Sequence, residues 1–254
     1  MKNFIIIFLL SFTALFSQVN TEEMRKFGIE NGWHHSAGFN FGLNKGNTEL
    51  LSIGANYRTD YMKDKFGTFM VGSVNYQESE NQKILYKGFL HLRGMYDIFS
   101  RTQVESFLQK EFNEFILLND RNLAGAGLRF NPLKLGSTSD TTTAFRLFTG
   151  FGMMFENESY DVTEDPNKNL VRSTNYITME WKINEIFSLS TITYYQFALT
   201  DLQDYRILND SSLQFKISDA FSFNFTVSYR YDNNPQTDVK KYDLALTNGI
   251  AVIF

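Results

Sequence analysis

A chain of 254 residues with a formal net charge of −4 has no basic excess with which to neutralise phosphates, which excludes nucleic acid as a general partner. It contains no cysteine, so no disulfide framework holds it together, and its 26 Phe and 13 Tyr against only 3 Pro suit many long strands.

Met1-Lys2-Asn3 and the apolar run from Phe4 to Leu15 read as the n-region and core of a signal peptide, residues 1–18, cut near Ser17 and Gln18. The run is shorter than the ~20 residues a spanning helix needs, and no later segment is continuously apolar for ~18 residues. A membrane fate for this chain therefore requires alternating strands. Residues 19–32 show no alternation, and Thr21-Glu22-Glu23 starts one helical turn at most. We read them as a periplasmic N-terminal lead-in, with a floppy linker as the equal alternative.

From Trp33 the pattern has period two, and residues 33–254 form one β-barrel domain. Strand one sets Phe39, Phe41 and Leu43 against Gly38, Asn40 and Gly42; strand two sets Ile53, Ala55 and Tyr57 against Gly54, Asn56 and Arg58. Strand three, near Phe66 to Gln77, is ambiguous, because Phe69 and Val71 oppose Met70 and Val74. Strands four to six place Lys87, His91, Arg93, Glu105, Glu111, Arg121 and Arg129 opposite Leu90, Leu92, Leu108 and Leu128. A long connection, 131–142, follows. Strand seven separates Phe151, Met153 and Phe155 from Arg146 and Glu156, and a polar loop over 156–169 leads to strand eight, with Arg172 and Glu180 opposite Ile177 and Trp181. Strands nine to eleven put Arg206, Asp210 and Arg230 opposite apolar and aromatic rows such as Phe221, Phe223, Phe225 and Val227. Strand twelve ends the chain on Phe254, in the place of the C-terminal signal read by the barrel-assembly machinery.

About twelve strands of roughly ten residues fit a transmembrane, antiparallel, up-and-down barrel with both termini periplasmic, an all-β fold whose last strand pairs with its first. Such a barrel belongs in the cell outer membrane. Its surroundings are lipid and lipopolysaccharide, and periplasmic chaperones accompany its biogenesis. The competing reading, a soluble barrel or sandwich, reverses the faces and puts the aromatics in a dry core.

Three segments carry a family resemblance: Gly46-Asn47-Thr48-Glu49 leading into Tyr57-Arg58, the run from Arg121 to Phe130, and Tyr229-Arg230-Tyr231-Asp232-Asn233-Asn234-Pro235 with Lys240-Lys241-Tyr242-Asp243. Together they resemble the salt-induced outer-membrane protein family of Gram-negative bacteria, a domain family of unknown function. The resemblance implies the location and the fold, and through the family's name a link to salt or osmotic stress. It implies no catalytic residue.

With apolar rows facing lipid, the polar rows line a lumen. Arg58, Lys87, Arg93, Arg129, Arg146, Arg172, Arg206 and Arg230, with Glu105, Glu111, Glu180 and Asp210, are the expected lining and selectivity residues, in a slightly basic interior. Those charges serve either a narrow passive channel for small anionic solutes or an ion-paired plug in an envelope-integrity barrel. A third possibility is an outer-membrane lipid hydrolase built on His91 or on His34-His35-Ser36, but adjacent residues point to opposite faces, so His35 and Ser36 cannot pair directly. No nucleotide loop, nucleophile elbow or zinc spacing occurs, and the acidic run Asp161 to Asp165 lacks a calcium-loop motif. We expect no enzyme, no cofactor and no metal.

Overall fold

The computed structural model describes residues 20–26, 29–135, 144–163, 166–218 and 220–252, with side chains up to residue 250. The signal peptide, part of the 131–142 connection, Glu164 and Asp165 of the acidic loop, and Phe254 lie outside the described residues.

Twelve strands follow one another in chain order: β1 (Gly32–Asn44), β2 (Leu50–Lys63), β3 (Phe66–Ser79), β4 (Gln82–Phe99), β5 (Thr102–Asn113), β6 (Leu118–Leu135), β7 (Ala144–Tyr160), β8 (Asn167–Lys182), β9 (Phe187–Ala198), β10 (Tyr205–Lys216), β11 (Phe221–Asp232) and β12 (Tyr242–Val252). They form one sheet in that same order, each antiparallel to the next. Among the described residues no ladder joins β12 to β1.

The strands are longer than the alternation alone indicates, from 11 residues in β12 to 18 in β4 and β6. The polar stretch read as a loop over 156–169 is mostly ladder. Glu156 faces Leu170, Asn157 faces Asn169, Glu158 faces Lys168 and Ser159 faces Asn167, leaving only residues 161–166 to turn the chain. Polar residues sustain a ladder as well as apolar ones, because the backbone supplies its hydrogen bonds. β6 likewise runs on through much of the expected connection, with its register shift between Phe130 and Leu133, where Pro132 cannot donate.

The two faces of the sheet have opposite chemistry. Outward residues are apolar and open, among them Phe39 at 72% exposure and Phe155 at 70%, while the other face buries His91 and Arg172 at 0%. Side chains on that second face meet across strands that do not touch in the ladder. The Tyr176 hydroxyl on β8 donates to Glu105 on β5 at 2.8 Å, and Arg206 on β10 donates to Glu156 on β7 at 2.7 Å. Such chords require a sheet curved into a barrel with its charged face inward. A core of aromatics with arginines outside, as a soluble sandwich demands, is the reverse of this arrangement.

β3 shows why its alternation misled. Phe69 points inward, 2% exposed, and its ring lies 5.1 Å from the Arg58 guanidinium and 5.9 Å from that of Arg93. An aromatic can serve the inner face where cations cover it, so polarity alone does not tell the two sides apart there. On the outer face rings gather near the strand ends, with Trp33 4.7 Å from Tyr61 and Phe187 4.6 Å from Phe215 at the end carrying the β2–β3 and β8–β9 turns.

Inside, glycines make room for rings. A Cβ on Gly150 would stand 2.0 Å from the Tyr176 ring, the same ring that carries the hydroxyl bound to Glu105. We expect Gly150→Val to lower unfolding free energy by ~1–3 kcal/mol in a urea titration of the detergent-folded chain. Gly249→Ala, whose Cβ would meet nothing within 4 Å, should change it by less than ~0.5 kcal/mol.

Candidate functional site

The inner face carries three ion-pair groups and one further pair, assembled from residues that alternate inward along their strands and, in two of the groups, from residues 20–26. The first lies near the 114–117, 161–166 and 199–204 connections and centres on Glu156 of β7. Arg121 of β6, Arg172 of β8 and Arg206 of β10 all donate to its carboxylate. Arg121 also reaches Glu111 at 2.6 Å, Arg172 reaches Asp204 at 2.8 Å, and Arg206 reaches Glu158 at 3.0 Å and Asp232 at 2.8 Å. Every arginine here bridges two or more carboxylates, for which the planar guanidinium offers five donors in a fixed fork, against three on a compact ammonium.

The second group is built around a residue from outside the sheet. Residues 20–26 fold into the barrel, burying Asn20, Thr21, Glu22 and Arg25. Glu22 accepts from Arg25 at 2.9 and 3.0 Å, from Arg93 of β4 at 3.0 Å and from Arg129 of β6 at 3.1 Å. Arg93 donates to the Thr21 hydroxyl at 2.7 Å, and Arg25 pairs with Glu105, which also lies 3.4 Å from Arg93. Arg129 stacks its guanidinium 3.7 Å from the centre of the Phe148 ring. Arg58 binds Asp60 at 2.7 Å and donates to the Met24 carbonyl at 2.5 Å.

The third group joins Asp210 of β10 to Arg230 of β11 at 2.8 Å and to the Asn20 amide at 2.5 Å. Glu23 lies close by. Its side chain is exposed but has protein around much of it; desolvation by that protein, and then the Asp210 carboxylate, push it up to about 7, with Arg230 pulling the other way. A fourth pair, Arg146 and Glu180 at 2.5 Å, sits toward the opposite end of the barrel and is less buried.

All twelve residues expected to line the interior stand on the inner face: Arg93, Arg129, Arg172, Arg206, Arg230, Glu105, Glu111 and Asp210 buried, Arg58, Lys87, Arg146 and Glu180 half-buried. Within this set Arg93 meets Glu105, Arg146 meets Glu180 and Arg230 meets Asp210, while Arg58, Arg129, Arg172, Arg206 and Glu111 pair with residues outside it. Glu158, Asp204 and residues 20–26 escaped the sequence reading. Glu158 follows the inward parity of Glu156 and could have been found by extending β7; the segment's only signal is the three-residue spacing of Glu22 and Arg25, a helix-turn pair. With Glu22, Glu23, Glu158 and Asp204 added against one further cation, Arg25, the expected basic excess of the interior nearly vanishes. The segment is thus more than the lead-in its sequence indicates.

Free space beside the ion-pair clusters is small. One cavity, between Thr21, Arg93, Glu105, Arg121, Tyr176 and Gln196, and another, beside Arg206, Arg230 and Asp232, measure about 30 Å³ each, room for one or two waters. A larger recess of about 610 Å³ opens at one end beside Lys182, Ser188, Gln214 and Lys216. A groove of about 740 Å³ lies among Leu90, Leu92, Leu108 and Phe155 of the outer face.

His91 does not supply a hydrolase site. Its ring is 0% exposed on the inner face, with Nδ1 3.0 Å from Gln109 and Nε2 accepting from Arg93 at 3.3 Å, so it meets an amide and a cation where a serine is needed. His34 contacts the Glu30 carbonyl, and His35 contacts the Tyr57 hydroxyl and stacks on Trp33.

No curated protein matches the chain. Among solved structures, the NanC porin in a rhombohedral crystal form is similar, with a TM-score of 0.44 and 10% identity over 80% of this chain and 94% of that one. A family model matches residues 36–254, and the chain accordingly belongs to the family described as "Protein of unknown function, DUF481".

Proposed function

We propose that the protein is an outer-membrane β-barrel with periplasmic termini, whose lumen is held shut by its own ion pairs and by residues 20–26, and which conducts small anions only when that segment leaves. The observation that carries this reading is the inversion of the sheet: open apolar rows outside, paired charges inside. A monomer in water rarely exposes more than a few hundred Å² of contiguous apolar surface, whereas rows such as Leu128, Phe151, Ile177 and Leu246, each at least 40% exposed, suit acyl chains. The closed state is supported by the cavities of only about 30 Å³ left between the ion-pair clusters. The link to salt or osmotic stress enters through the family resemblance alone.

Planar-bilayer recording separates the possibilities. The refolded mature chain should be almost silent, and the chain lacking residues 20–26 should carry a steady, anion-leaning current. A steady current from the intact chain, or silence from both, overturns the gated reading.

Acidity should tune the residual current of the intact chain. Glu23 binds its proton more tightly in the docked segment, where it lies at about 7, than in the free one, near the ordinary 4.5. Docking is therefore strongest below 4.5, weakens as pH rises toward 7 and changes little beyond. Anion current should rise between about pH 4.5 and pH 7, and Glu23→Gln should flatten that rise.

Glu156→Gln leaves three buried guanidiniums around a neutral amide and should cost ~3–5 kcal/mol of unfolding free energy. Asp120→Asn, which breaks the exposed pair with Lys110, should cost under ~0.5 kcal/mol. A urea titration reads both.

A further inference from the structure

The carboxylate of Glu22 is held as a bound ligand would be. It is 2% exposed, and it takes hydrogen bonds from three arginines, of which only Arg25 belongs to its own segment. The other two, Arg93 and Arg129, project from β4 and β6 and stay behind if the segment moves. Their positions are independently fixed. Arg93 lies over the rings of Phe69 and Phe107, at 5.9 and 5.6 Å, and Arg129 lies over Phe148. The strands supply one carboxylate beside Arg93, that of Glu105, and it is shared with Arg25.

We infer that Arg93 and Arg129 form a binding site for small carboxylate-bearing solutes, and that Glu22 occupies this site as a tethered competitor. The inference rests on the gated reading above and adds the solute class: a carboxylate whose two oxygens can take one guanidinium each, as Glu22 Oε2 takes Arg93 and Oε1 takes Arg129. Phe148 and Phe107 give the site apolar flanks, which suit an organic acid better than a hydrated halide. Solute and segment exclude each other, so an incoming carboxylate helps to displace the residues that close the barrel. Segment departure breaks no ladder hydrogen bond, because residues 20–26 pair with no strand.

Chemical rescue in the full-length mature chain tests the site. Glu22→Ala leaves a carboxylate-sized gap facing Arg25, Arg93 and Arg129, and acetate is the probe. In detergent, acetate should raise the unfolding temperature of Glu22→Ala saturably, while acetamide and sodium chloride at matched ionic strength should not, and the unmodified chain should gain nothing from acetate. Equal effects of acetate and acetamide, or an equal gain in the unmodified chain, overturn the inference.

A second measurement serves where Glu22→Ala does not fold. The chain has no cysteine, so Thr21→Cys provides a single buried thiol on the segment. Maleimide labelling of that thiol should accelerate about tenfold on adding gluconate, and not on adding mannitol. The acceleration should be lost when Arg129→Gln is added. Identical rates with the two additives, or an acceleration that survives Arg129→Gln, sink the carboxylate site. Neither readout depends on current, so failure of the gate in bilayers and failure of the site remain distinguishable.

Discussion

A guanidinium taken out of water without a partner costs several kcal/mol, and everything inside this barrel follows from meeting that demand. The ladders bind each strand only to its neighbours. The charges do something the ladders cannot: Glu156 receives arginines from β6, β8 and β10, and Tyr176 on β8 reaches Glu105 on β5, so the ion pairs brace the curved sheet along its chords. Because removing either member of a buried pair strands the other, these positions constrain one another across large separations in sequence.

That demand also sorts the cations. The fully buried ones are arginines: Arg25, Arg93, Arg121, Arg129, Arg172, Arg206 and Arg230. Lysines such as Lys83, Lys110, Lys182 and Lys216 lie at rims or on the outside, more open to water. An ammonium is compact and strongly hydrated, and it cannot reach Glu156, Glu158 and Asp232 at once as Arg206 does. The interior is therefore a fabric of forks, in which Arg121 and Arg206 each tie three carboxylates and Arg25, Arg93 and Arg172 each tie two.

The sheet order and most of the inward set were legible because a strand's period of two is a local property: Arg121, Arg129 and Arg172 could be placed inward from their neighbours alone. The exceptions have physical causes. Phe69 broke the alternation of β3 because cations cover its ring, and the β7–β8 ladder ran past its apolar part because asparagine and glutamate pair through the backbone as readily as valine. Which carboxylate meets which arginine was not legible, since chord contacts depend on curvature and no local period records curvature. Residues 20–26 were the extreme case. Nothing in Thr21-Glu22-Glu23 indicates that Arg93 and Arg129, about 70 and 107 positions away, surround one of those glutamates.

The segment differs from the strands in how it is held. Each strand from β2 to β11 leaves the sheet only by giving up two ladders, but residues 20–26 are held by side-chain bonds to arginines that have other partners: Arg93 keeps Glu105 and Arg58 keeps Asp60. Residues 20–26 carry Glu22 and Glu23 together with Arg25 and Lys26, so the segment is formally neutral and its departure leaves the Glu156 cluster untouched. Closure of the barrel is thereby separated from its stability. The rigid part is paid for within the sheet, and the movable part carries the carboxylate that completes the Arg93 and Arg129 pair, so the same residue that closes the interior also defines what can take its place.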